Sequence, residues 1–197
     1  MEKILLFTIF TPIYVTIISD IFQKKIKKFF LFLSILSVIG SLIIRITDVQ
    51  LLDLKGFILI QGANFSFALG QVLYKRYIKN NSKLDYNLNE FGYFYFGAII
   101  IASLGSLIMI DSLSYPKSTI QWLLVLWLGA IASGLGYYFW NRGSVLVNNG
   151  TLAVMNNLVI PLGLFIEIVF FSKLINVTNY IIGALIILSS IYFSLRK

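Results

Sequence analysis

Four polar side chains interrupt one apolar stretch of the sequence in a pattern that suits ligand binding. In chain order they are Gln61, Asn64, Gln71 and Lys75. At about 100° per residue this spacing places them on one stripe of a helix, opposite the small residue Gly62 and its neighbours Ser66 and Gly70. Carboxamides both donate and accept hydrogen bonds, so this face is a candidate binding surface for a polar ligand. Hydrogen bonding to other helices is the alternative for Gln61 and Asn64.

A second polar group surrounds Pro161. Asn156, Gly163 and Glu167 share a helix face, and Pro161 removes a backbone donor between them, which predicts a helix kink. Asn156 and Asn157 are candidate substrate-binding residues, because a polar side chain inside an apolar segment is a functional hypothesis by default. Glu167 is a candidate proton-coupling group, and a solvated or helix-paired carboxylate is the alternative.

Two aromatic residues and a further proline complete the candidate set. Tyr137 and Trp140 follow a glycine-rich apolar segment. Flat rings with a polar tip suit stacking on a ring-bearing ligand, and anchoring at a membrane interface is the alternative. Pro12 predicts a kink in the first apolar segment, where the hydroxyls of Thr8 and Thr11 can satisfy freed carbonyls.

The sequence excludes most catalytic chemistry. It contains no His and no Cys, so imidazole bases, cysteine nucleophiles and thiolate metal sites are absent. Glu167 alone lies well inside an apolar segment, which leaves no catalytic pair of carboxylates. We therefore predict a protein that is not an enzyme and that carries no metal and no cofactor.

The composition predicts an all-α membrane protein. Of 197 residues 58% are hydrophobic and 12% are charged, with a mean hydropathy of +0.88, whereas soluble domains carry about 25% charge. Seven continuously apolar segments are each near the roughly 20 residues that span a bilayer as a helix. They cover residues 4–22, 29–46, 54–74, 91–110, 120–140, 151–171 and 180–195.

The basic residues predict the orientation. Lys and Arg cluster between apolar segments, which favours membrane loops over nucleic-acid binding for a chain of net charge +8. Alternating seven spans puts eleven of the 16 basic residues on the side of the C-terminus, among them Lys24, Lys25, Lys27 and Lys28. This split predicts a cytoplasmic C-terminus and an N-terminus outside.

The prolines reveal a candidate internal repeat. Pro12 and Pro161 lie 149 residues apart, and their two segments cross the membrane in opposite directions. That relation is typical of inverted repeats in secondary transporters. We predict a remnant of one repeat with two helices in residues 1–46 and a second repeat with five helices in residues 54–197.

Several stretches of the sequence resemble one transporter family. They cover residues 5–14, 61–64 with 70–71, 74–76, 132–141 and 149–161. The chain resembles the EamA-domain transporters of the drug/metabolite transporter superfamily, in the carboxylate/amino acid/amine branch. That family has ten spans in two inverted halves, so the resemblance implies that the seven helices correspond to spans four to ten and that the first three are missing.

The resemblance also implies a function. It points to a multi-pass transporter of the bacterial inner membrane that works by alternating access, and within the branch it is greatest to biotin importers, which implies biotin as the substrate. The implied partners are a small-molecule substrate and the lipid bilayer, without nucleic acid, and a homodimer stays open. Two alternatives remain: an exporter of amino acids or other metabolites from the same superfamily, and an inactive truncated fragment.

Overall fold

The computed structural model describes residues 8–45, 54–80, 88–108 and 115–197, and the regular structure in those ranges is helical. The α-helices, in chain order, are α1 (Thr11–Gln23), α2 (Lys28–Arg45), α3 (Leu54–Asn80), α4 (Leu88–Ile108), α5 (Thr119–Trp127), α6 (Tyr137–Leu146), α7 (Asn149–Met155), α8 (Val159–Phe171) and α9 (Val177–Leu195). A π-helical segment, Leu128–Gly136, joins α5 to α6, and a 3₁₀ turn, Asn156–Leu158, joins α7 to α8.

Six helical stretches within the described ranges are long and apolar enough to cross a membrane. They are Lys28–Arg45, Leu54–Asn80, Phe91–Ile108, Thr119–Leu146, Asn149–Phe171 and Val177–Leu195. The prediction of an all-α, multi-pass membrane protein is confirmed. Of the predicted first span, only the part from residue 8 onward is described; residue 46 of the second span and residues 109 and 110 of the fourth also lie outside the described residues.

The chain forms two compact units. One comprises residues 1–76 and 146–197, and the other comprises residues 77–145. These units reflect contacts in space, whereas the predicted repeats at 1–46 and 54–197 reflect symmetry along the chain. The repeat boundaries therefore stay a prediction.

The first unit is organised by a close crossing of α2 and α9. A Cβ atom added to Gly183 would lie 2.4 Å from the carbonyl oxygen of Gly40, and one added to Gly40 would lie 2.8 Å from that of Gly183. The contact is reciprocal, because Ile44 packs beside Gly183 and Ile187 beside Gly40, each four residues after its own glycine. Glycine is needed at both positions, since any side chain would separate the two backbones.

The other helices of the first unit pack around this crossing. One apolar cluster joins α2, α7, α8 and α9, and it contains Leu33, Val38, Ile44, Val154, Ile160, Leu164, Ile187 and Ile191 together with Ile9. A second cluster joins α1, α3 and α7 through Val15, Ile18, Ala68, Val72 and Ala153. Where α1 packs against α2, the hydroxyls of Thr16 and Ser34 form a hydrogen bond with each other at 2.7 Å.

Side-chain caps define the helix ends in the first unit. The Asp20 carboxylate accepts a hydrogen bond from the Lys27 backbone N–H at 2.9 Å and so fixes the connection between α1 and α2. Asn148 caps α7 by accepting from the Thr151 N–H at 2.7 Å, and Asn176 caps α9 in the same way. Each cap satisfies one of the backbone donors that a helix N-terminus leaves unpaired.

The two prolines lie near helix starts. Pro12 lies in the first turn of α1, where its missing N–H needs no partner, and the predicted kink at this residue stays a prediction. Pro161 is the third residue of α8, and α8 directly follows the 3₁₀ turn. A local change of helix type is the expected response to the hydrogen bond that Pro161 cannot make.

The second unit contains the π-helical segment and an aromatic cluster. The Tyr95 hydroxyl donates to the carbonyls of Ser133 (2.6 Å) and Gly134 (2.9 Å) within that segment. Phe91 packs its ring against those of Tyr95 and Tyr138 at 5.2 and 5.5 Å. A widened helical turn beside a tyrosine hydroxyl keeps carbonyl oxygens hydrogen-bonded in an apolar setting.

We expect Gly183→Ala to lower the free energy of unfolding of the purified protein by about 1–3 kcal/mol. The added methyl group would collide with the backbone carbonyl of Gly40, which is fixed within α2. Gly62→Ala is the matched control, since nothing lies within 4 Å of the added Cβ. Thermal unfolding in detergent, followed by circular dichroism, measures both. Equal midpoints for the two variants would contradict the close crossing.

Candidate functional site

A reciprocal pair of carboxamides joins α3 to the 3₁₀ turn. The Gln71 Nε2 donates to the Asn156 Oδ1 at 3.0 Å, and the Asn156 Nδ2 donates to the Gln71 Oε1 at 3.1 Å. Gln71 is completely buried and Asn156 is half-buried. The Asn156 Nδ2 also donates to the Leu152 carbonyl at 3.0 Å, which fixes the orientation of its amide.

The pair has a defined chemical complementarity. Each amide presents one N–H and one C=O along the same edge, so the two close a ring of two hydrogen bonds. In an apolar setting an unpaired amide is costly, and each member therefore needs a partner with the same donor and acceptor edge. A ligand carrying such an edge can pair with either member in the same way, and the displaced member then needs a new partner.

The polar stripe predicted on α3 faces the protein. Asn64, Gln71 and Lys75 are buried and Gln61 is half-buried, whereas Gly62, Ser66 and Gly70 are exposed. The Asn64 Nδ2 donates to Gln61 Oε1 at 3.2 Å within the helix. Nothing lies within 4 Å of a Cβ added to Gly62 or Gly70, so no other helix packs closely on the small-residue side among the described residues.

Lys75 places a cation one helical turn beyond Gln71 on this buried stripe. It is 2% exposed, and its ammonium donates to the carbonyl of Val147, the residue that precedes the Asn148 cap of α7. Four residues of helix advance by about 6 Å, so the amide pair and the ammonium lie along one line on α3. Arg142 in α6 is exposed.

Asn157 has a different role from its neighbour. Its Nδ2 donates to the Ile9 carbonyl at 3.1 Å and to the Ser37 hydroxyl at 3.2 Å, and the residue is 1% exposed. These contacts join the 3₁₀ turn to α2 and to the chain that leads into α1. They favour a structural role for Asn157, while its predicted part in substrate binding stays a prediction.

The predicted aromatic residues lie in the second unit. The Tyr137 ring packs on Phe91 with centroids 5.8 Å apart. Trp140 is half-buried, and its indole Nε1 is buried without a hydrogen-bond partner among the described residues. Stacking of either ring on a substrate stays a prediction.

Glu167 forms an ion pair with Lys173. The carboxylate Oε2 lies 2.8 Å from the ammonium, and both side chains are about one-third exposed or less. This pairing favours the helix-paired alternative for Glu167 over a role in proton coupling, which stays a prediction. The described residues contain no cluster of acidic side chains that could hold a metal ion.

One polar network was not anticipated from the sequence. The Ser19 hydroxyl accepts hydrogen bonds from the Asn149 Nδ2 and from the Gln23 Nε2, each at 2.6 Å. It joins the last turns of α1 to the first residue of α7. The sequence shows only that these polar residues lie near the ends of predicted helices. That position does not identify Ser19 and Asn149 as partners, because they are 130 residues apart.

Three curated proteins illustrate what the chain is similar to. It is 36% identical over 192 residues to a protein of Escherichia coli (strain K12) named "Biotin transporter", and equally to one of Salmonella typhimurium with the same name. It is 35% identical over 190 residues to a "Probable biotin transporter" of Pseudomonas aeruginosa. These alignments cover 96 to 97% of this chain.

The chain spans less than two thirds of the length of these relatives, namely 64% of the Escherichia coli and Salmonella proteins and 66% of the Pseudomonas protein. No protein-family model matches the sequence. No solved structure matches it either.

Proposed function

We propose that this chain takes part in biotin uptake across the bacterial inner membrane, as a secondary transporter of the EamA type. Relatives named biotin transporters that align with almost the whole chain support this function. The structural observation that carries it is the reciprocal pair of Gln71 and Asn156.

The amide pair suits the ureido ring of biotin. A cyclic urea presents an N–H and a C=O side by side, the same edge that Gln71 and Asn156 present to each other. The ureido group replaces one amide, so the buried donor and acceptor of the other remain paired. In the absence of substrate the two side chains satisfy each other, which keeps α3 against the 3₁₀ turn.

Lys75 supplies the second recognition element. Biotin carries a carboxylate at the end of an aliphatic chain, away from the ureido ring. A buried ammonium one turn along α3 from Gln71 provides charge-assisted hydrogen bonding to such a group. Polar groups at both ends of an apolar ligand fix its orientation.

The crossing of α2 and α9 supports the inverted-repeat architecture that alternating access requires. Gly40 and Gly183 approach each other reciprocally, and Ile44 and Ile187 each pack beside the glycine of the other helix, as expected for two helices related by a pseudo-two-fold axis. On this proposal residues 1–46 belong to the first repeat and residues 54–197 to the second. Rocking of the repeats transports substrate past the amide pair.

Two rival functions are distinguished by ligand binding. An exporter of amino acids or other metabolites in the same superfamily would bind those compounds in preference to biotin. An inactive fragment, such as a chain without the first three spans of the family, would bind none of them. Binding rather than transport is therefore the decisive property of the 197-residue chain.

We expect the chain in lipid nanodiscs to bind radiolabelled biotin saturably, and Asn156→Leu or Gln71→Leu to weaken the affinity roughly 5- to 150-fold, because each removes a buried donor and acceptor. Ser66→Leu is the matched control, since Ser66 is exposed on the same helix and, among the described residues, bonds only to the Gly62 carbonyl in its own turn. Equilibrium dialysis measures all four proteins.

Stability measurements separate a lost contact from a damaged fold. Each single variant leaves one amide unpaired, whereas the double variant Gln71→Leu/Asn156→Leu removes both and should recover much of the lost thermal stability without recovering affinity. Asn157→Leu should also lower stability, since it removes the hydrogen bonds to the Ile9 carbonyl and to the Ser37 hydroxyl. Wild-type chain that fails to bind biotin, or Asn156→Leu that binds it normally, would refute the proposal.

The proposed orientation has the C-terminus in the cytoplasm and the N-terminus outside, supported by the uneven distribution of Lys and Arg. Topology reporters fused after Lys197 and before Met1 should report opposite compartments, the first of them cytoplasmic. Two ends in one compartment would exclude an odd number of spans.

A further inference from the structure

One end of the first unit carries a continuous set of basic side chains, here called the basic rim. Its members are Lys24, Lys25, Lys27, Lys28, Arg76, Arg196 and Lys197. Arg76 links α3 to the end of α1, because its Nη1 donates to the Phe22 carbonyl at 3.3 Å and its guanidinium lies 5.2 Å from the Phe22 ring centre. The Lys197 ammonium lies 4.4 Å from the ring centre of Phe29 and so links the end of α9 to the start of α2.

The positive charge of the basic rim is not balanced within the described chain. Asp20 is the described acidic side chain nearest along the sequence, and its carboxylate is buried against the Lys27 backbone N–H. Glu167, the other acid whose side chain is described, pairs with Lys173. None of the four lysines between α1 and the start of α2 forms an ion pair with a described residue, so the basic rim presents a concentrated field to an anionic partner.

Apolar and aromatic groups lie among these cations. Ile26 lies between Lys25 and Lys27 and is 74% exposed, and Ile21 in the last turn of α1 is 68% exposed. The Lys27 ammonium lies 5.9 Å from the Phe30 ring centre, and the Arg196 guanidinium lies 4.4 Å from that of Tyr192. Exposed apolar side chains beside cations and rings are typical of the interface between headgroups and acyl chains.

We propose that the basic rim is a binding surface for anionic phospholipid, in which lysine and arginine side chains hold the phosphate headgroup while Ile26 and Ile21 contact acyl chains. The mixture of cations with exposed isoleucines favours lipid over nucleic acid or free phosphate, because those ligands leave the apolar groups in water. The bond between Asp20 and Lys27 holds the lysine-bearing connection in a fixed shape and so lowers the entropy lost on binding. The proposal is independent of the transported substrate.

A lipid titration tests this surface. Detergent-solubilised full chain is titrated with fluorescent phosphatidylglycerol, and binding is followed by anisotropy, with phosphatidylcholine and inorganic phosphate as competitors. The test variant is Lys25→Gln/Lys28→Gln, in which neither substituted side chain makes a hydrogen bond to a described residue. Lys55→Gln/Lys117→Gln removes the same charge from positions predicted on the opposite side of the membrane and is the matched control.

We expect the wild type and the control to bind phosphatidylglycerol with similar affinity and the test variant to bind about 25-fold more weakly, at roughly fivefold per lysine. Lys25→Arg/Lys28→Arg should bind like the wild type, which separates loss of charge from misfolding. Unlabelled phosphatidylglycerol should displace the probe, and phosphatidylcholine and phosphate should not.

Three results would overturn the proposal. The first is equal affinity of the test variant and the control. The second is displacement by phosphatidylcholine as efficient as by phosphatidylglycerol, which would indicate a general apolar surface. The third is displacement by inorganic phosphate at matched concentration, which would assign the basic rim to a soluble anion.

Discussion

The close crossing of α2 and α9 at Gly40 and Gly183 is the contact on which the first unit depends. In a bilayer, burying apolar side chains gives little driving force, because lipid is as apolar as leucine. Helices associate there through close packing and hydrogen bonds, and both are strongest where two backbones touch. The crossing positions α7, α8 and the 3₁₀ turn beside α2, and these carry Asn156 and Asn157.

The polar side chains of the first unit illustrate the second constraint, which is that buried donors need acceptors. Two sets of buried hydrogen bonds join different parts of the chain, between Thr16 and Ser34 and from Asn157 to Ile9 and Ser37. Neither set pairs two amide side chains edge to edge. The bonds between Gln71 and Asn156 are different, because a ligand with an amide-like edge can substitute for either side chain. The proposed recognition site therefore uses a pair that is also a structural hydrogen bond.

The sequence predicted the broad features because they follow from composition and periodicity. The apolar segments have the length of a membrane-spanning helix, and the polar residues on α3 have the spacing of one helix face. Both features can be recognised in the sequence without tertiary information. The pairing of Gln71 with Asn156 could not be predicted, since nothing in the local sequence specifies a partner 85 residues away. Gly40 gave no signal either, because a glycine at a helix crossing looks the same in sequence as Gly62, which has open space around it.

The structural effect of a proline or a glycine is hard to predict from the sequence for the same reason. Their effect depends on whether they lie inside a helix or at its end, and on what packs against them. Pro12 lies in a first turn, and the glycine-rich stretch after Trp127 adopts a π-helix beside Tyr95. Neither outcome follows from the local residue pattern.

Competition between biotin and two of its structural analogues tests recognition through the amide pair most directly. Desthiobiotin keeps the ureido ring and the carboxylate but lacks the sulfur ring, whereas lipoate keeps a five-membered ring and the carboxylate but has no ureido group. If Gln71 and Asn156 bind the ureido edge, desthiobiotin displaces radiolabelled biotin from the chain and lipoate at the same concentration does not. Equal displacement by both compounds would show that recognition lies in the carboxylate and the ring, and would contradict this account.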